Sequence, residues 1–150
     1  MKARALLSIL ALLSLIMVAL PTAAAPGAPD QGVWTLGPTM CFDLTRIDAE
    51  YSPAAGKVYI LGGRSGTTTV GNIYAFNPAT GICSDTGVVM PTPISNYTVN
   101  LVNDGTNELL CTFGGRNSAG GTTLDVQCYD PIANTAAIKT TLPAAWTGYT

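Results

Sequence analysis

The chain has 150 residues, with seven basic side chains against nine acidic ones, no histidine, and only 11% charged residues. No basic run occurs anywhere, so the electrostatic footprint of a nucleic-acid or anionic-lipid binder is missing. Four cysteines without CxxC spacing, and with no histidine beside them, give no support to a zinc site of the usual kind.

Lys2 and Arg4 form a short basic head, and residues 5–20 are an uninterrupted run of apolar residues and serines. Pro21 breaks the run, and residues 22–25 supply small side chains for a peptidase. Residues 1–25 therefore read as a helical secretory signal peptide, removed between Ala24 and Ala28. A run of sixteen residues falls short of the roughly 20 that span a bilayer, so no membrane span is expected in the mature chain. Residues 26–32 read as a flexible leader. The mature chain is one domain's worth at most, with a net charge of −4 once Lys2 and Arg4 are gone.

In the mature chain the predicted elements are short strands. Residues 45–51 alternate, 52–56 (SPAAG) turn, and 57–61 form a strand that Gly62 and Gly63 end. Residues 64–71 read as a polar loop, 72–76 as a third strand, 77–81 (NPATG) as a tight turn, and 82–89 as a fourth strand interrupted by Gly87. The pattern then returns: strand 97–103, turn 103–107, strand 108–113, Gly114 and Gly115, loop 116–123, strand 124–129, turn 130–134, strand 135–142. No helix is expected after the signal peptide, since no amphipathic stretch of helical period survives there.

The return has a fixed period. KVYILGG (57–63) recurs as LLCTFGG (109–115), IYAFNP (73–78) as VQCYDP (126–131), and Met90-Pro91 as Leu142-Pro143, with offsets of 52 or 53 residues. A period near 50 marks a repeat architecture in which each unit is one supersecondary element that cannot bury its apolar face alone. Four-stranded antiparallel units packed on both faces account for the near-continuous apolar strands.

Gly62-Gly63 with Tyr59 upstream, Phe76-Asn77-Pro78, Gly114-Gly115 and Tyr129-Asp130-Pro131 together resemble the kelch repeat. The resemblance covers residues 33–143. It departs from the family where a Trp usually follows the Pro by five residues: Cys83 and Ala136 stand there. It implies an all-β fold of kelch-type β-propeller blades: blade one over about 42–90, blade two over about 94–143, and the start of a third at 144–150. Trp34 resembles the missing Trp of an earlier fourth strand, and residues 33–36 could be a closing strand. Propellers have about four to eight blades, so the expectation is an incomplete ring, the N-terminal fragment of a longer chain whose remaining blades are partners.

Arg64 and Arg116 stand in register, each directly after its paired glycines. In a propeller the loops they open converge on one face with residues 37–42 and 91–97. Arg64, Thr67, Arg116, Asn117, Asn96 and Tyr97 are therefore the candidate ligand-binding residues, set against the plainer reading of solvated loop residues or arginines bonded to neighbouring carbonyls. Two arginines on one rim suit carboxylates, and kelch propellers that recognise acidic peptides use arginines on this face. Asp48 and Glu50, two apart on one strand, read as structural rather than as a glycosidase pair. The glycine-rich loops match no phosphate-binding pattern.

The expected function is a secreted or cell-surface binding module for a protein or carbohydrate ligand, without nucleic acid, metal or cofactor. The alternative is a propeller enzyme resembling galactose oxidase or a sialate mutarotase, with catalytic residues in the missing blades. Asn96-Tyr97-Thr98 is also a glycosylation sequon. Cys111 and Cys128 align with Tyr59 and Ala75 on two strands of one hairpin, which makes them the disulfide candidate; a Cys41–Cys83 bond fits less readily.

Overall fold

A computed structural model describes residues 36–40 and 42–144. The expected signal peptide and leader (residues 1–32), residues 33–35, Cys41 and residues 145–150 lie outside the described residues. The chain divides after Leu36, and every strand belongs to the part beginning at Gly37.

The described residues hold ten strands and no helix. They are β1 (Ala49–Ser52), β2 (Lys57–Ser65), β3 (Thr68–Asn77), β4 (Ile82–Val89), β5 (Ile94–Ser95), β6 (Val99–Asn103), β7 (Glu108–Phe113), β8 (Arg116–Asn117), β9 (Asp125–Asp130) and β10 (Thr135–Thr141). A first sheet has the order β1-β2-β3-β4, a second the order β6-β7-β9-β10, and β5 pairs with β8. Every pairing is antiparallel. The architecture is thus all-β, in sheets of four, two and four strands.

The two large sheets share one register. Tyr59 faces Ala75 as Cys111 faces Cys128, Leu61 faces Ile73 as Phe113 faces Val126, and Val58 faces Phe76 as Leu110 faces Tyr129. The strand content follows from β-branched and aromatic residues between turn residues. At the 77–81 turn, Asn77 accepts through its side chain from the amide of Ala79, and at the 130–134 turn Asp130 does the same for Ile132 and Ala133.

Two expected boundaries are corrected. Residues 64–71 are not a polar loop. After a bulge at Gly62 the ladder resumes with Gly63 opposite Val70 and runs to Ser65 opposite Thr68. The β-branched run 67–70 extends the hairpin, and Gly66 turns it with φ 56°. The first strand begins at Ala49 rather than at residue 45, and Thr45 instead makes an isolated bridge to Arg64.

The main core lies between the large sheets. Tyr59, Leu61, Ile73 and Ala75 of the first meet Leu110, Tyr129 and Val99 of the second, with Met90, Ile94 and Tyr97 from the connecting segment between them. Full burial of such side chains contributes about 1.5–3 kcal/mol each. Polar links cross the same seam. Ser52 Oγ donates to Glu108 Oε1 at 2.6 Å, and the Val99 amide donates to Asp48 Oδ2 at 3.0 Å. The connecting segment is clamped by Gln127, fully buried, which accepts from the Thr92 amide at 2.7 Å and donates to the Thr92 carbonyl at 3.0 Å. A second cluster, Leu109, Cys111, Val126 and Cys128, lies on the far side of the second sheet.

The Cys111–Cys128 disulfide forms, with Cα atoms 4.0 Å apart. Cys83 is also disulfide-bonded, and the expectation of a Cys41–Cys83 bond falls on Cys41, outside the described residues. Among the described residues no helix is long and apolar enough to cross a membrane.

Candidate functional site

The paired glycines set the geometry of one rim. A Cβ on Gly62 would lie 2.9 Å from the carbonyl oxygens of Ile94 and Val70, and one on Gly63 would collide with the Ile47 side chain. Gly62 and Gly63 have φ of 94° and 116°, and Gly114 and Gly115 have 73° and 111°. Only glycine meets both demands, so the connecting strands can cross directly over the backbone there.

What they bring together is a continuous string of backbone contacts carrying three arginines. Arg64 and Thr45 exchange hydrogen bonds of 2.9 and 2.8 Å. Arg46, next to Thr45, accepts through its carbonyl from the Asn96 amide at 3.0 Å, and its Nη1 donates to Asn96 Oδ1 at 3.2 Å. Ser95, next to Asn96, pairs with Arg116. The order along the rim is therefore Arg64, Thr45, Arg46, Asn96, Ser95, Arg116. Arg46 and Asn96 face each other with φ of 56° and 51°, a sparsely populated conformation of the kind that gathers at ligand sites.

The arginines differ in how far they are committed. Arg64 Nη2 donates to the Thr67 carbonyl at 3.1 Å, and its Nε is buried without a partner. That is the plainer expectation in part: the guanidinium bonds to a neighbouring carbonyl. Thr67 is exposed and serves Arg64 through its main chain. Arg116 is exposed, and its side chain has no hydrogen bond or ion pair among the described residues. Asn117 spends its amide oxygen on the Gly121 amide at 3.0 Å, closing its own turn.

Tyr97 is corrected from ligand contact to core. It is 3% exposed, and its hydroxyl donates to the Asp48 carbonyl at 3.3 Å. Burial pushes its phenol well above the ordinary range. An aromatic beside a turn-forming Asn looks like a loop residue in sequence, but here the chain turns inward after Asn96. Arg46 is the residue that sequence reasoning missed. It has no counterpart in the second repeat, since Thr98 stands 52 positions on, so the periodicity gave no sign of it.

Asp48 is occupied by main chain. Its Oδ1 accepts from the Ala49 amide at 2.9 Å and its Oδ2 from Val99. Glu50 accepts from the Tyr51 amide at 3.0 Å. The described residues contain no cluster of His, Cys, Asp or Glu able to hold a metal ion.

No family model and no curated protein matches the chain. Among solved structures it is similar to one titled "Structure of YjhT", with a TM-score of 0.57 and 12% identity over 70% of this chain. The match covers 40% of that chain, so the likeness concerns fold over less than half of the larger protein.

Proposed function

We propose that the chain is part of a secreted or cell-surface kelch-type β-propeller, and that it binds a carboxylate-bearing protein or glycan on the rim carrying Arg46, Arg64 and Arg116. Its two four-stranded sheets are two blades of the ring, and further repeats of the same kind complete it. The shared register of the two sheets, the positive-φ glycine pairs at equivalent places, and the fold likeness to a larger protein support this reading. The Cys111–Cys128 disulfide fits an oxidising compartment.

One observation carries the functional part: three arginines follow one another along a single string of backbone contacts, and none is neutralised by a carboxylate among the described residues. Guanidinium groups so placed can take carboxylates as paired hydrogen-bond acceptors. The enzyme reading would place its catalytic residues in further blades, outside the described residues, while the carboxylate of Asp48 is spent on main-chain amides.

Calorimetric titration with poly-glutamate and with polygalacturonate tests the proposal and separates protein-like from glycan-like carboxylates. Binding to one or both is expected, weakening with salt and lost in Arg46→Ala/Arg64→Ala/Arg116→Ala. Binding that is absent, or unchanged in the triple variant, would remove the rim from consideration.

A further inference from the structure

On the reading that the rim binds carboxylates, we propose that Asn96 sets its charge selectivity: the neutral side-chain amide orients the Arg46 guanidinium without cancelling its charge, and offers Nδ2 to the same ligand. The rim then takes ionised carboxylates and rejects their neutral esters.

Asn96 is joined to Arg46 twice. Its main-chain amide donates to the Arg46 carbonyl at 3.0 Å, and its Oδ1 accepts from Arg46 Nη1 at 3.2 Å. The hydroxyl of Ser95, a residue only 2% exposed, also reaches Asn96 Oδ1, at 3.5 Å. Two donors on one atom fix the orientation of the amide, because only its oxygen can accept. Nδ2 therefore points away from them. It has no hydrogen bond among the described residues and is not buried. A free donor thus stands beside the guanidinium that the same side chain orients.

The backbone does not account for asparagine in particular. The φ of 51° at residue 96 favours Asn and Asp alike over other residues with a side chain. Aspartate would also accept from Arg46 and Ser95, and more strongly. The two differ in charge and in Nδ2. Aspartate would close an ion pair with Arg46 and meet an incoming carboxylate with a like charge. Asparagine holds the guanidinium in place and leaves the charge to the ligand. Arg64 is held in the same manner, by the neutral carbonyl of Thr67. Both rim arginines whose side chains are bonded are thus oriented by uncharged oxygens.

Calorimetric titration of the full chain tests this with poly-glutamate and polygalacturonate, each beside its methyl ester. The wild type should bind an acid form and not its ester. Asn96→Asp should weaken that binding by about tenfold or more, through the lost charge and the new repulsion. Asn96→Gly keeps the left-handed conformation and adds no charge, so it should weaken binding less, by about two- to fivefold. A purely structural role gives the opposite order, since aspartate preserves the contacts of the side-chain oxygen and glycine removes them. That opposite order would overturn the proposal, as would aspartate binding as well as asparagine, or a wild type that binds acid and ester equally. If Asn96→Asp loses its circular dichroism signature, the comparison of acid with ester on the wild type still decides. A wild type that binds none of the four polymers would instead remove the rim reading itself, and this selectivity with it.

Discussion

Tyr129 packs its ring against that of Tyr59 across the seam between the large sheets, with centroids 5.3 Å apart and planes tilted by 56°. The tilt turns one ring's edge toward the other's face, a sense that aromatic quadrupoles favour. The Tyr129 hydroxyl does not face an empty interior: it donates to Asn134 Oδ1 at 2.8 Å, and Asn134 Nδ2 donates to the Thr86 carbonyl at 3.3 Å. One phenol therefore joins the core to the end of the seam.

An alkaline limit on stability results. Burial, and then the neighbouring Tyr59, push the Tyr129 phenol up to about 12, while in the unfolded chain it titrates near 10. The unfolded state thus loses its proton first. The contribution is whole below about pH 10 and is lost as pH rises through about 12. Tyr97 and Tyr59, raised by burial in the same way, act in the same direction. Stability against urea should fall between these pH values, and the fall should be shallower in Tyr129→Phe. A flat profile in this range would contradict the buried seam.

Gln127 is the most exacting polar residue of the fold. Gln127→Leu leaves the amide and carbonyl of Thr92 without their partners, at a cost of about 1–3 kcal/mol for each group left buried. Chemical denaturation should show a loss of about 2–6 kcal/mol. A loss within experimental error would mean that the connecting segment is held by other contacts.

Gly62→Ala should cost more than Gly120→Ala. Both positions have positive φ, 94° and 82°, and share the conformational cost of about 1–2 kcal/mol. Only at Gly62 would the added carbon also meet two carbonyl oxygens at 2.9 Å, whereas nothing lies within 4 Å at Gly120. Equal melting temperatures for the two variants would count against the close crossing of strands there.

The Cys111–Cys128 bond closes a loop with a sequence separation of 17, for which loop-closure entropy gives about 3 kcal/mol. The double variant Cys111→Ala/Cys128→Ala should be less stable by about 2–4 kcal/mol in denaturation. Non-reducing peptide mapping of the wild type should recover the two cysteines in one linked fragment.

Much of the fold was legible because the repeat is written in residues with strong local preferences. Lys57, Ile82, Glu108 and Thr135 begin strands where alternation and turn residues place them. Facing cysteines were legible because both members of the pair align with a facing pair in the other repeat. The 64–71 hairpin was not, since glycines and threonines read equally as loop and as β-ladder until a partner strand is present. At the rim, Arg64 and Arg116 were visible through periodicity. Arg46 and the inward turn of Tyr97 depend on contacts between segments about 50 residues apart, which no local pattern encodes.

The rim itself is tested most directly by watching the arginine side-chain Nε–H resonances in a heteronuclear NMR titration with poly-glutamate and polygalacturonate. The signals of Arg46, Arg64 and Arg116 should move together and saturate at one ligand concentration, while those of Lys57 and Lys139 stay in place. Arginine signals that do not move, or shifts led by the lysines, would contradict carboxylate binding at this rim.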